Sequence, residues 1–108
     1  MPISKVYTTT FIQAHGATED ATYPVPAGFV AVVRDVDMYI DALAAGDMFL
    51  HGVNGQAIWW QSWGINDQVW KQWTGRHAYP AGTSIVVHPS LGPNDALDVT
   101  VSGYLLTE

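Results

Sequence analysis

Histidines, acids and tryptophans are the residues of this chain that could do chemistry, and their spacing decides which kinds. His15, His51, His77 and His88 stand far apart, in no H-x-H or H-E-x-x-H arrangement, so no metal-binding pair falls on one strand or helix face. Cysteine is absent, which removes thiolate zinc sites, disulfides and a cysteine nucleophile together. Asp35, Asp37 and Asp41 would share one strand face and could offer oxygens to Ca²⁺, but the Gly and bidentate Glu that complete an EF-hand loop are missing. A solvated acidic edge, discouraging unwanted strand pairing, is the expectation there. There is no G-x-S-x-G elbow, and Ser102-Gly103 lies inside a strand pattern, so no nucleophile with its base can be assembled. No carboxylate pair stands out for glycoside hydrolysis. These residues read as a non-enzyme, with no catalytic residue, no cofactor-binding residue, no metal ligand and no cofactor.

The five tryptophans are the unusual feature. Trp59, Trp60, Trp63, Trp70 and Trp73 fall in two adjacent strand-like segments. On the first, Trp59 and Trp63 point one way and Trp60 the other; on the second, Trp70 and Trp73 take opposite faces unless a bulge intervenes. Trp59, Trp63, Trp70 and Trp73 are the candidate interface residues. With Gln61, Asn66, Gln68 and Gln72 to supply hydrogen bonds, the same indoles could stack on sugar rings, which makes a carbohydrate-binding module the second reading. Packing against the chain's own second layer and against a partner is the favoured use, because 48% hydrophobic residues with only 13% charged leave surface that a partner should cover.

The elements that must position these side chains are strands. At 108 residues the chain suits one domain, residues 1–108. Gly, Pro, Asn and Asp punctuate runs rich in Val, Ile, Thr, Tyr and Trp, which predicts strands over 5–14, 28–40, 47–53, 56–63, 68–77, 83–88 and 97–107. Seven or eight such strands imply an all-β fold, an antiparallel β-sandwich of jelly-roll or Greek-key type. Asn54-Gly55 predicts a type I′ hairpin between the third and fourth strands. In the last strand, Val99, Val101, Gly103 and Leu105 share one face and Asp98, Thr100, Ser102 and Tyr104 the other. The segment 28–40 places Val30, Val32, Val36, Met38 and Ile40 together; Arg34 interrupts it and requires either a bulge or a carboxylate partner, Asp35 or Asp98. Residues 16–26 read as a surface loop, and 41–46 as a loop with one turn. Pro26-Ala27-Gly28 followed by Val32-Val33 recurs as Pro80-Ala81-Gly82 followed by Val86-Val87, which signals either two similar halves or one turn solution used twice.

A formal net charge of -6, with Lys5, Arg34, Lys71 and Arg76 as the only strong cations, speaks against nucleic acid as a direct ligand and against anionic membranes. No apolar run approaches the length that spans a bilayer, and Lys5 is followed by Thr8-Thr9-Thr10 where the apolar part of a leader would stand, so retention of the N-terminus is expected.

The run Tyr23-Pro24-Val25-Pro26-Ala27-Gly28-Phe29-Val30-Ala31-Val32-Val33-Arg34-Asp35-Val36-Asp37, then Trp73-Thr74-Gly75-Arg76, Tyr79-Pro80-Ala81-Gly82-Thr83 and the closing Val101-Ser102-Gly103-Tyr104-Leu105-Leu106, resembles small β-sandwich virion proteins of tailed bacteriophages. The likeness runs from about Tyr23 to the end of the sequence. It implies a virion structural protein present in several copies, a minor tail component or a capsid decoration protein, made in the host bacterial cytoplasm and carried in the particle. Its partners would be other virion proteins of the tail or capsid and copies of itself, with carbohydrate as the remaining option. The Pro-Ala-Gly turns also resemble those of cupin barrels, but the His pair that would hold a cupin's metal is missing.

Overall fold

The computed structural model describes residues 9–107, which form eight strands and no helix. They are β1 (Thr9–Ala17), β2 (Ala21–Pro24), β3 (Phe29–Ala42), β4 (Gly46–His51), β5 (Ala57–Trp63), β6 (Asp67–Tyr79), β7 (Ser84–Ser90) and β8 (Leu97–Thr107). The start of the segment expected over 5–14 lies outside the described residues. Pairing is antiparallel throughout: β1 with β8, β2 with β7, β3 with β6 and β4 with β5. The chain is thus one long hairpin, its two arms matched outward from the β4–β5 turn. That hairpin rolls up so that β8 also lies along β3, and β7 along β4. The result is two four-stranded sheets, β1-β8-β3-β6 and β2-β7-β4-β5, the arrangement of an eight-stranded jelly roll and the β-sandwich expected from the strand pattern.

Alternating apolar residues fill the space between the sheets. Val36, Met38 and Ile40 of β3, Met48 and Leu50 of β4, Ile85 and Val87 of β7, and Val99 and Val101 of β8 are all no more than 2% exposed. Each such side chain contributes about 1.5–3 kcal/mol by leaving water. The two faces of β8 fall as the alternation requires.

In β3 the alternation is broken once. The register slips between Val33 and Asp35 against both β6 and β8, so Arg34 is the extra residue of a bulge and its side chain is exposed. Ala31 and Val33 face the core before the bulge; Val36, Met38 and Ile40 face it afterwards. The expectation that Val30 and Val32 share a face with Val36 fails for that reason, since one inserted residue reverses the pleat. Asp98 is engaged elsewhere: it accepts the Gly16 N–H at 2.8 Å and meets His15 Nδ1 at 2.9 Å. Gly103 of β8 crosses the bulge with no room for a side chain, because a Cβ would stand 1.8 Å from the Val32 carbonyl oxygen.

The turns explain the repeated motif. Phe29 N donates to Pro26 O and Thr83 N to Pro80 O, with Gly28 at φ 84° and Gly82 at φ 83°, so both Pro-Ala-Gly segments are the same type II turn. They lie side by side, joined by Val25 N to Thr83 O and Gly82 N to Val25 O. One carries β2 into β3 and the other β6 into β7, so the two arms of the hairpin bend between sheets at one corner. The echo is a shared turn solution, not a pair of equivalent halves.

Three further expectations are corrected. Residues 16–26 are not all loop: Ala21–Pro24 forms β2, with Ala21 and Tyr23 half-buried and Thr22 and Pro24 exposed. The strand is short and sits at a sheet edge, where Pro24 is tolerated. The Asn54-Gly55 hairpin forms, but Gly55 (φ 77°) has a positive φ and Asn54 does not, so the turn is not type I′. Gly55 N closes a turn onto Gly52 O and Gly52 N bonds Gln56 O, which makes a three-residue loop with a glycine bulge. Finally, Asp35, Asp37 and Asp41 do not guard an edge. β3 is an interior strand between β8 and β6, and its carboxylates stand on the outward face of the sheet.

The segment between β3 and β4 is held by a distant turn. Asp95 is buried, and its Oδ1 and Oδ2 accept Leu43 N–H at 2.9 Å and Ala44 N–H at 3.1 Å. Its own position is fixed by a turn in which Pro93 precedes Asn94 at φ 66° and Asp95 N bonds Gly92 O.

Candidate functional site

The structure divides the tryptophans by exposure. Trp63 is 5% exposed, its indole Nε1 enclosed without a partner next to Gly46; it is a core residue and leaves the set of candidate surface indoles. Trp59 and Trp73 are half-buried against the same core, on the inward rows opposite Leu50 and Val36. Trp70 (71% exposed) and Trp60 (56% exposed) are the two bare indoles among the described residues. Trp60 was not among the four candidates, although its opposite orientation to Trp59 and Trp63 was legible from the alternation.

Trp70 stands on the outer face of sheet β1-β8-β3-β6. Cross-strand pairing sets three rows there: Asp98, Tyr39 and Trp70; Gln13, Thr100, Asp37 and Gln72; Thr10, Ser102, Asp35 and Thr74. Gln68 Nε2 donates to the Tyr39 hydroxyl at 2.8 Å and Gln72 Nε2 to Asp37 Oδ1 at 2.5 Å, so two of the four amides foreseen as ligand donors each give an N–H to a neighbour. Two shallow depressions of about 200 and 140 Å³ flank Asp37. Beyond the strands, Asn66 N bonds Leu43 O, which brings two loops together at one tip with Ile65 (73%) and Leu43 (62%) exposed.

Trp60 stands on the outer face of the other sheet, in line with Phe49 and His88. The Trp60 and Phe49 rings lie 6.1 Å apart and 15° from parallel; His51 and His88 meet edge to face at 5.9 Å. Next to them a cavity of about 320 Å³ is lined by Asp20, His51, Gly52, Val53, Gly55, Ser84, Val86 and His88. His51 and His88, which sequence spacing separates by 37 positions, are neighbours because β4 pairs with β7. Among the described residues, no group of three or more His, Asp or Glu is placed to hold a metal ion.

Behind this cavity the Tyr79 hydroxyl donates to the His51 carbonyl at 2.5 Å and pins the end of β4. Tyr79 is fully buried, and burial pushes its pKa above the ordinary 10.0. An unfolded chain therefore releases this proton near pH 10 while the folded chain keeps it, so the stability tied to Tyr79 is intact below about pH 10 and lost as pH rises further. Denaturant midpoints measured from about pH 8 to about pH 11 should fall more steeply for the native chain than for Tyr79→Phe. Parallel curves would refute this.

No family model matches the sequence, and comparison with curated proteins finds no match.

Proposed function

We propose that this chain is a non-enzymatic structural subunit of a bacteriophage particle, attached to the tail or capsid surface and acting by protein–protein assembly. The observation that carries this reading is an interrupted apolar stripe: Trp70 on β6, then the polar pair Asp41 and Gln68, then Ile65 and Leu43 at the tip, the three apolar side chains each more than 60% exposed. Large apolar side chains left exposed together at one end of a sheet and rimmed by polar residues mark a candidate contact surface. Asp37 and Asp67 flank it with carboxylates, the mix of aromatic and polar side chains found at protein contacts. The likeness of the Pro-Ala-Gly, Trp-Thr-Gly-Arg and Gly-Tyr-Leu-Leu segments to small virion proteins supports the particle as the place of assembly.

The test is light scattering of the purified chain together with add-back to particles lacking it. A symmetric oligomer, or saturable binding to the particle, is expected. Trp70→Ser should weaken that association by about thirtyfold, the effect of losing a central aromatic contact. A monomer that ignores the particle, or a Trp70→Ser variant that assembles normally, would overturn the proposal.

A further inference from the structure

We infer that the outer face of sheet β2-β7-β4-β5 carries a separate binding site for one hexose unit of a glycan, built from Trp60, Phe49, His51, His88 and Asp20. It lies on the opposite sheet from the stripe proposed for assembly. The two surfaces can therefore fail independently.

Three features select the ligand. The first is size: about 320 Å³ lies at the lower end of small-molecule pockets and suits a single sugar ring. The second is hydrogen-bond sense. His51 Nδ1 lies 3.1 Å from the Gly55 carbonyl and His88 Nδ1 lies 2.5 Å from Asp20 Oδ1. Carbonyl and carboxylate oxygens only accept, so both Nδ1 atoms carry a proton and each ring leaves Nε2 as its second polar atom. The cavity wall thus carries the Asp20 carboxylate, two imidazoles and Ser84. The Asp20 carboxylate favours a neutral ligand that brings O–H donors and disfavours phosphates and carboxylates, which it repels. The third is the adjoining aromatic shelf. Phe49 lies 6.2 Å from the His51 ring and 6.5 Å from the His88 ring, and Trp60, more than half exposed, stacks on it at 6.1 Å, so aromatic side chains border the polar wall. A pyranose has that complement, hydroxyls around its rim and an apolar C–H face to lay on the rings.

The experiment is an NMR and tryptophan-emission titration of the full chain with methyl glycosides of glucose, galactose, mannose and N-acetylglucosamine and their short oligosaccharides. Zn²⁺ alone is titrated in parallel. At least one sugar should shift the amides of His51, Gly52, Gly55 and His88 saturably. Trp60→Ala should weaken that binding about tenfold and Asp20→Asn should weaken it as well, whereas Trp70→Ala should leave it unchanged. Unfolding midpoints of the variants check that each remains folded. The inference is overturned if no sugar in the set produces saturable shifts, if Trp70→Ala weakens binding as much as Trp60→Ala, or if Zn²⁺ shifts these amides and no sugar does.

Discussion

Gly103→Ala should lower stability by about 4 kcal/mol or more, a large part of the roughly 5–15 kcal/mol that holds a domain folded. The added Cβ would stand 1.8 Å from Val32 O, 2.9 Å from Val32 C and 3.1 Å from Arg34 N. All three atoms are backbone, so no side chain can swing away. Relief would require β3 and β8, the two interior strands of one sheet, to separate at the bulge that sets their register. Gly64→Ala is the matched control: nothing lies within 4 Å of its Cβ and its φ is not positive, so its effect should stay within about 0.5 kcal/mol. Urea unfolding followed by tryptophan emission measures both. A Gly103→Ala variant with a native midpoint would show that the bulge yields far more easily than its geometry implies.

Asp95→Ala is expected to cost about 3 kcal/mol. The carboxylate is the one buried charged or polar side chain among the described residues, and both of its oxygens accept backbone N–H groups, from Leu43 and Ala44. Hydrogen bonds to a charged acceptor contribute about 1.5–3 kcal/mol each, and deleting the acceptor strands two part-buried donors. Asp95→Asn keeps one acceptor and the shape, so it should recover part of the loss. Equal unfolding midpoints for Asp95→Ala and Asp95→Asn would mean that Asp95 acts by volume alone. Because Leu43 lies on the exposed tip, Asp95→Ala should also loosen the apolar stripe and weaken the assembly it is proposed to serve.

Most of the sandwich could be read from period and punctuation. Val99, Val101 and their outward neighbours Asp98, Thr100 and Ser102 alternate without interruption, so β8 is recovered to its ends. Arg34 signalled either a bulge or an ion pair, because a cation cannot simply continue an apolar row, and the slipped register of β3 selects the bulge. β2 escaped because four residues, two of them Thr and Pro, give too few alternations to stand out from loop, and its identity as a strand comes from Val86 and Val87 beside it. The tryptophans show a similar limit. Alternation separated Trp60 from Trp59 and Trp63, but not which face met the core; that depends on Leu50 and Met48 across the β4–β5 ladder. Likewise His51, His88 and Asp20 are joined by strand order, a long-range property that no spacing rule contains.

The position of β8 has a consequence for how the chain is made. This strand is synthesised after the other seven, yet it fills the slot between β1 and β3. A nascent chain emerging from the ribosome can close the β3–β6 and β2–β7 ladders but leaves an open seam along β3, with β1 unattached. Closure of this sheet therefore comes last: the seam zips shut only once Leu97–Thr107 is free to pair, and until then β1 and β3 present unpaired strand edges ready to join those of another molecule.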